Sequence, residues 1–251
     1  MRALFDRDET IFAVAWIVIY VVGFGNAGVL TDDVVTNYAV QVAVGVVMVV
    51  ALGAFASKNG LLEYWGMCPL RGDARRFLWF VPLFVLMSEN VWLGLGRGED
   101  GALAMVLGIA AIGVMAPVLE ELVLRVILYR ALGHSNALRA FVVCSVTFGV
   151  GHIVNLLFGH DLARTLAQVC YALCIGFCLM SVLHAGRSIV PITLAHIEMN
   201  TLGFFAYQGE VGTVADYVTI AILCVGCIAY GIYVLRAHAD ERPLTSAPLE
   251  W

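Results

Sequence analysis

The stretch Ala116-Pro117-Val118-Leu119-Glu120-Glu121-Leu122-Val123-Leu124-Arg125 decides the fold. It lies inside an apolar run, 102–132, long enough to cross a bilayer at about 1.5 Å of rise per residue. Two adjacent carboxylates and an arginine are expensive there, roughly 2.5–3.5 kcal/mol for each charge near the bilayer centre on insertion scales. Charge pairing, buried water or an active site must offset that cost.

The surrounding chain has the composition of a membrane protein. Of its 251 residues 61% are hydrophobic and 13% charged, and the mean hydropathy is +0.91. A soluble domain carries about twice that charged fraction, which excludes a soluble all-α protein. With a net charge of −5 and no basic patch, nucleic-acid binding is excluded as well. Seven cysteines are present, among them an i, i+4, i+8 stripe (Cys170, Cys174, Cys178) and a C-x-x-C (Cys224, Cys227). Inside apolar helices these read as small packing residues rather than a disulfide framework or a metal site.

Eight apolar segments follow one another: 10–30, 34–56, 77–96, 102–132, 137–158, 165–184, 188–207 and 213–236. The expected fold is therefore an all-α, polytopic membrane protein with about eight transmembrane helices. It forms a single domain over 1–251, with a short tail at 237–251. The first run exceeds a signal-peptide core and reads as a retained span. Arg2, Arg7, Lys58, Arg71, Arg75, Arg76, Arg130, Arg139, Arg187, Arg236 and Arg242 fall on one side, and Arg97 and Arg164 alone on the other. By the positive-inside rule both termini are cytoplasmic. Tyr64, Trp65, Trp79, Trp92 and Tyr207 stand near expected span ends, where interfacial aromatic residues belong.

Polar residues cluster at one depth. Counted from the nearest cytoplasmic-side arginine, Glu120 lies about 15 Å in, His152 about 20 Å, His196 about 14 Å and Asn200 about 20 Å. Glu121 and Arg125 are spaced i, i+4, the geometry of an ion pair, so Glu120 is left to face the histidines. Phe148, His152 and Asn155 share a helical face, as do His196 and Asn200. Pro117 should kink its helix or free the Gly113 carbonyl. Glu89 and Glu198 are further acids in spans, read as supporting groups or buried structural ones.

Three motifs in this order, E-E-x-x-x-R (Glu120, Glu121, Arg125), F-x-x-x-H (Phe148, His152) and H-x-x-x-N (His196, Asn200), resemble the signature of the CPBP family. That family comprises type II CAAX prenyl proteases and bacteriocin-processing (Abi) membrane proteins. The likeness covers about 100–207; it departs at Leu124 and Val126, where many bacterial members have an aromatic residue and a glycine, and at the acidic Glu198. The resemblance implies an intramembrane endopeptidase with Glu120, His152, His196 and Asn200 as catalytic residues. Glu121, Arg125, Phe148 and Asn155 would support them.

The chemistry is consistent with that reading. Glu120 and His152 suit holding and deprotonating a water, and His196 and Asn200 suit donating to an oxyanion. Zinc on Glu120, His152 and His196 is the competing mechanism. No compact H-E-x-x-H places two ligands on one turn, so no cofactor is favoured. The expected partners are the bilayer and a membrane-tethered or lipidated peptide or protein, cut from the cytoplasmic side of the plasma membrane. Where proteins are prenylated, the cut would release the tripeptide after a lipidated cysteine. In a bacterial member, a pheromone, a bacteriocin leader or a membrane protein is the expected substrate. The alternatives are a catalytically silent scaffold that binds a partner membrane protein, and a proton-coupled carrier, for which no inverted repeat is evident.

Overall fold

The computed structural model describes residues 1–67, 78–96, 101–159, 161–206 and 213–237. The expectations attached to Arg71, Arg75, Arg76, Arg97, Tyr207, Arg242 and the tail fall outside these residues. The described chain is built from helices: α1 Arg2–Arg7, α2 Glu9–Gly25, α3 Val34–Lys58, α4 Leu78–Met87, α5 Ala102–Gly133, α6 Ala137–Gly151, α7 Leu162–Gly186, α8 Val190–Gly203 and α9 Val214–Ala237. Each of the eight apolar segments contains a helix. Five helical stretches (α3, α5, α6 with its 3-10 extension, α7 and α9) are long and apolar enough to cross a membrane. The chain is a multi-pass membrane protein.

The helices of the other three apolar segments, α2, α4 and α8, fall short for local reasons. α4 stops at Met87, where Ser88 turns its hydroxyl back onto the Val85 carbonyl and a 3-10 turn, Glu89–Val91, takes over. α2 ends at Gly25, and Asn26 bonds back to the Val22 carbonyl. α8 ends at Gly203 rather than running to 207. Helix starts follow ordinary capping chemistry. Asp8, Asp33, Asn136 and Asp161 each accept from backbone N–H groups of the first turn of α2, α3, α6 and α7.

Small residues set the helix spacing. A Cβ on Gly176 of α7 would lie 2.6 Å from the Ser145 carbonyl oxygen of α6, and one on Gly231 of α9 2.6 Å from the Phe177 ring of α7. Close backbone approach of this kind replaces the hydrophobic driving force that helices lack among lipid tails. Cys178 and Cys227 are buried where α7 meets α9. The outward faces carry exposed valines, such as Val47 on α3 and Val225 on α9, as a lipid-facing surface requires.

Tyr64 and Trp65 are not interfacial anchors. Both are buried, and Trp65 joins Phe5, Phe12 and Phe55 in an aromatic cluster under α1. Arg130 is also buried, its guanidinium 4.4 Å from the Tyr64 ring centroid, a cation–π contact that keeps this charge off the surface. The Tyr64 hydroxyl donates to Glu9 at 2.9 Å and meets His134 Nε2 at 2.8 Å. Burial, then the nearby Glu9 charge, pushes the Tyr64 phenol above its ordinary range.

Candidate active site

α5 is not a uniform α-helix. Two π-helical turns, Ile109–Met115 and Glu121–Ile127, flank the short α-helical piece Ala116–Glu120. π turns shift the hydrogen-bond register from i+4 to i+5 and are concentrated at functional sites. In that register Ala116 N–H reaches the Ala111 carbonyl, so the next donor, to Ile112, would be residue 117. That residue is proline and has no N–H. Asn200 of α8 takes its place, its Nδ2 donating to the Ile112 carbonyl at 3.1 Å. The Ile112 carbonyl, five residues before Pro117, is thus supplied from another helix. α8 approaches closely here: a Cβ on Gly113 would lie 2.8 Å from Thr201 Oγ1.

The second π turn carries the charged frame. Glu121 and Arg125 are fully buried and form an ion pair, the spacing making it intrahelical. His196 of α8, also buried, puts Nδ1 2.6 Å from the same Glu121 oxygen. The Arg125 guanidinium lies over the Phe148 ring of α6, 3.7 Å from its centroid. The same ring packs edge-on against His152 at 5.2 Å and His196 at 5.5 Å. Phe148 is therefore the hub that joins the three motifs. A ring quadrupole can stabilise a cation without needing to be solvated itself, which suits a dry site.

The two acids differ in access. Glu121 is sealed, whereas the Glu120 side chain retains 18% of its exposure. Glu120 Oε2 lies 3.7 Å from His196 Nε2. The expected division of partners changes accordingly: His196 bonds Glu121 most closely and turns its second nitrogen toward Glu120. Glu120 Oε1 accepts at 2.5 Å from the hydroxyl of Tyr20, on α2, which the sequence reading missed. Nothing in local spacing could have found it, since the two residues are a hundred positions apart.

α6 ends at Gly151, and a 3-10 turn, His152–Phe158, follows. In a 3-10 turn residues i and i+3 eclipse, so His152 and Asn155 still share a face. Their side chains nevertheless part. His152 Nδ1 pairs with the Phe148 carbonyl at 2.9 Å, and Asn155 Nδ2 donates to Gln168 of α7 at 2.9 Å. Asn155 thus ties the turn to α7. Glu89 sits on the 3-10 turn after α4, where its neighbour Asn90 donates to the Met199 carbonyl of α8 at 2.9 Å. Glu198 lines a cavity of about 580 Å³ between α4 and α8 with Phe80, Phe84, Pro191 and Leu194, away from the face bearing His196.

His196 Nδ1 is engaged by Glu121 and His152 Nδ1 by a backbone carbonyl, which fixes both rings and leaves each Nε2 open. Among the described residues no three His, Cys, Asp or Glu side chains converge as a metal would require. Among the described residues neither the set Glu120, His152 and His196 nor either cysteine pattern is drawn together in this way.

Comparison with known families bears on the same segment. Residues 102–202, from α5 into α8, match the family model of the type II CAAX prenyl endopeptidase Rce1-like proteins. Searches of curated proteins and of solved structures returned no match. The family match agrees with the motif resemblance and supports a peptidase of the CAAX type acting in the membrane.

Proposed function

We propose that the chain is an intramembrane endopeptidase whose nucleophile is a water activated by Glu120. The observation that carries this reading is the contrast between its two acids: Glu121 is fully buried between Arg125 and His196, while Glu120 is partly exposed, its Oε1 held by Tyr20 and its Oε2 3.7 Å from His196 Nε2. Glu120 and His152 hold the water, and Glu120 takes its proton as the water attacks the peptide carbonyl. An ionised Glu121 only accepts, so the proton of the 2.6 Å bond belongs to His196 Nδ1. Nε2 is then the atom that exchanges a proton with Glu120. When protonated it donates to the developing oxyanion and then to the leaving amine. Asn200 has a second amide hydrogen for the oxyanion while the first holds Ile112. The route taken here is metal-independent, supported by the lack of three converging His, Cys, Asp or Glu side chains among the described residues.

The substrate is a membrane-tethered or lipidated peptide or protein that reaches the site from the cytoplasmic side. All eight apolar segments are embedded in this reading, both termini are cytoplasmic, residues 1–251 act as one domain, and the protein resides in the plasma membrane.

The test is a profile of peptide termini from membranes and medium of cells with the wild-type gene, a deletion, and Glu120→Ala at wild-type level. Specific termini should vanish in both the deletion and Glu120→Ala. A deletion effect that Glu120→Ala fully rescues would sink the hydrolase reading and favour a scaffold for a partner membrane protein.

A further inference from the structure

We infer that Tyr20 is a positioning residue for Glu120, so that the site is completed by α2, outside the segment matched by the family. The inference rests on the hydrolase reading above. Three observations carry it. The Tyr20 hydroxyl donates to Glu120 Oε1 at 2.5 Å. The bond occupies the oxygen that does not face His196, and Oε2, 3.7 Å from His196 Nε2, is left for water. Tyr20 itself is held on two sides, since it opens the π turn Tyr20–Gly25 and its ring stacks on Phe24 at 5.5 Å and 17°. That turn is tied to α3, where buried Gln41 donates to the Phe24 carbonyl at 3.3 Å.

A phenylalanine would pack in this place as well as a tyrosine. The hydroxyl is what the position adds, and its described partner is Glu120. A carboxylate on an unbranched side chain has three rotatable bonds, and an active site that leaves them free loses rate. Tyr20 fixes the carboxylate plane from one side while His196 approaches from the other. The side chain takes no part in bond making.

The probe is a quenched fluorogenic peptide spanning a terminus that the profiling assigns to Glu120, cleaved by the full chain in reconstituted vesicles. Tyr20→Phe should lower kcat by about 10- to 100-fold with KM within about two-fold of wild type. In a Glu120→Gln background the same substitution should have no further effect, because the coupling runs through Glu120. Tyr20→Phe with wild-type kcat, beside an inactive Glu120→Gln, overturns the role of Tyr20 and leaves the hydrolase reading intact. A raised KM with unchanged kcat also overturns it, since the hydroxyl would then serve substrate binding. Full activity in Glu120→Gln overturns the hydrolase reading and Tyr20's role together.

Discussion

Replacing Arg125 by methionine should destabilise the protein by about 3 kcal/mol, near the lower end of the roughly 3–5 kcal/mol lost when one partner of a buried ion pair is removed. The structure supplies the reasons for that end of the range. Glu121 would lose its ion-pair partner in a position with no exposure. It would keep the His196 Nδ1 donor at 2.6 Å. The cation–π contact of Arg125 with Phe148, 3.7 Å from the ring centroid, would also go. A methionine thioether recovers part of that against the same ring, about 0.3–1.5 kcal/mol. Thermal unfolding of the purified full chain in detergent measures the sum. At about 2–4 °C per kcal/mol for a chain of this size, Tm should fall by roughly 6–12 °C. The double variant Glu121→Leu/Arg125→Met should regain most of that loss, because apolar residues of similar volume replace a buried pair at little or no cost. It should stay inactive, because His196 would have lost the carboxylate that fixes its tautomer. A Tm for Arg125→Met within about 2 °C of wild type, or a double variant less stable than both single ones, would refute the reasoning.

Other outcomes follow from the same contacts. Asn200→Ala leaves the Ile112 carbonyl without this donor and should cost about 1–3 kcal/mol, and Pro117→Ala in that background should restore stability by supplying an N–H; equal Tm values with and without Pro117→Ala would argue against the π-register account. Gly176→Ala drives a methyl into the Ser145 carbonyl and should lower stability by about 1–3 kcal/mol, measured by the same melt. Chelation with EDTA or phenanthroline should leave peptide cleavage unchanged, and loss restored by low zinc would reinstate a metal mechanism. The raised Tyr64 phenol should add a pH dependence: its contribution is complete below its ordinary value of about 10 and is lost as pH climbs through the folded value. Comparing alkaline melts of wild type and Tyr64→Phe isolates that slope, which the variant should lack.

The sequence by itself determined the class of the protein and the identity of its polar groups. Long apolar runs can satisfy their backbone in a bilayer only as helices, so eight helical segments were legible from composition. Charges inside such runs are costly enough to mark a site, and spacing of i, i+4 put Glu121 beside Arg125. Tertiary structure decided the partners. Which histidine nitrogen meets which acid depends on how α8 lies against α5, and a histidine expected on Glu120 bonds Glu121 more closely. The π turn of α5 put the Ile112 carbonyl opposite the missing N–H of Pro117, where Asn200 could reach it. Tyr20 had no local signal at all, since a hydroxyl on an apolar helix acquires a partner only when another helix is packed against it. Local spacing fixes the face of a helix on which a residue lies, but contacts between helices follow from side-chain volumes and small-residue crossings spread over the whole chain, which no single stretch contains.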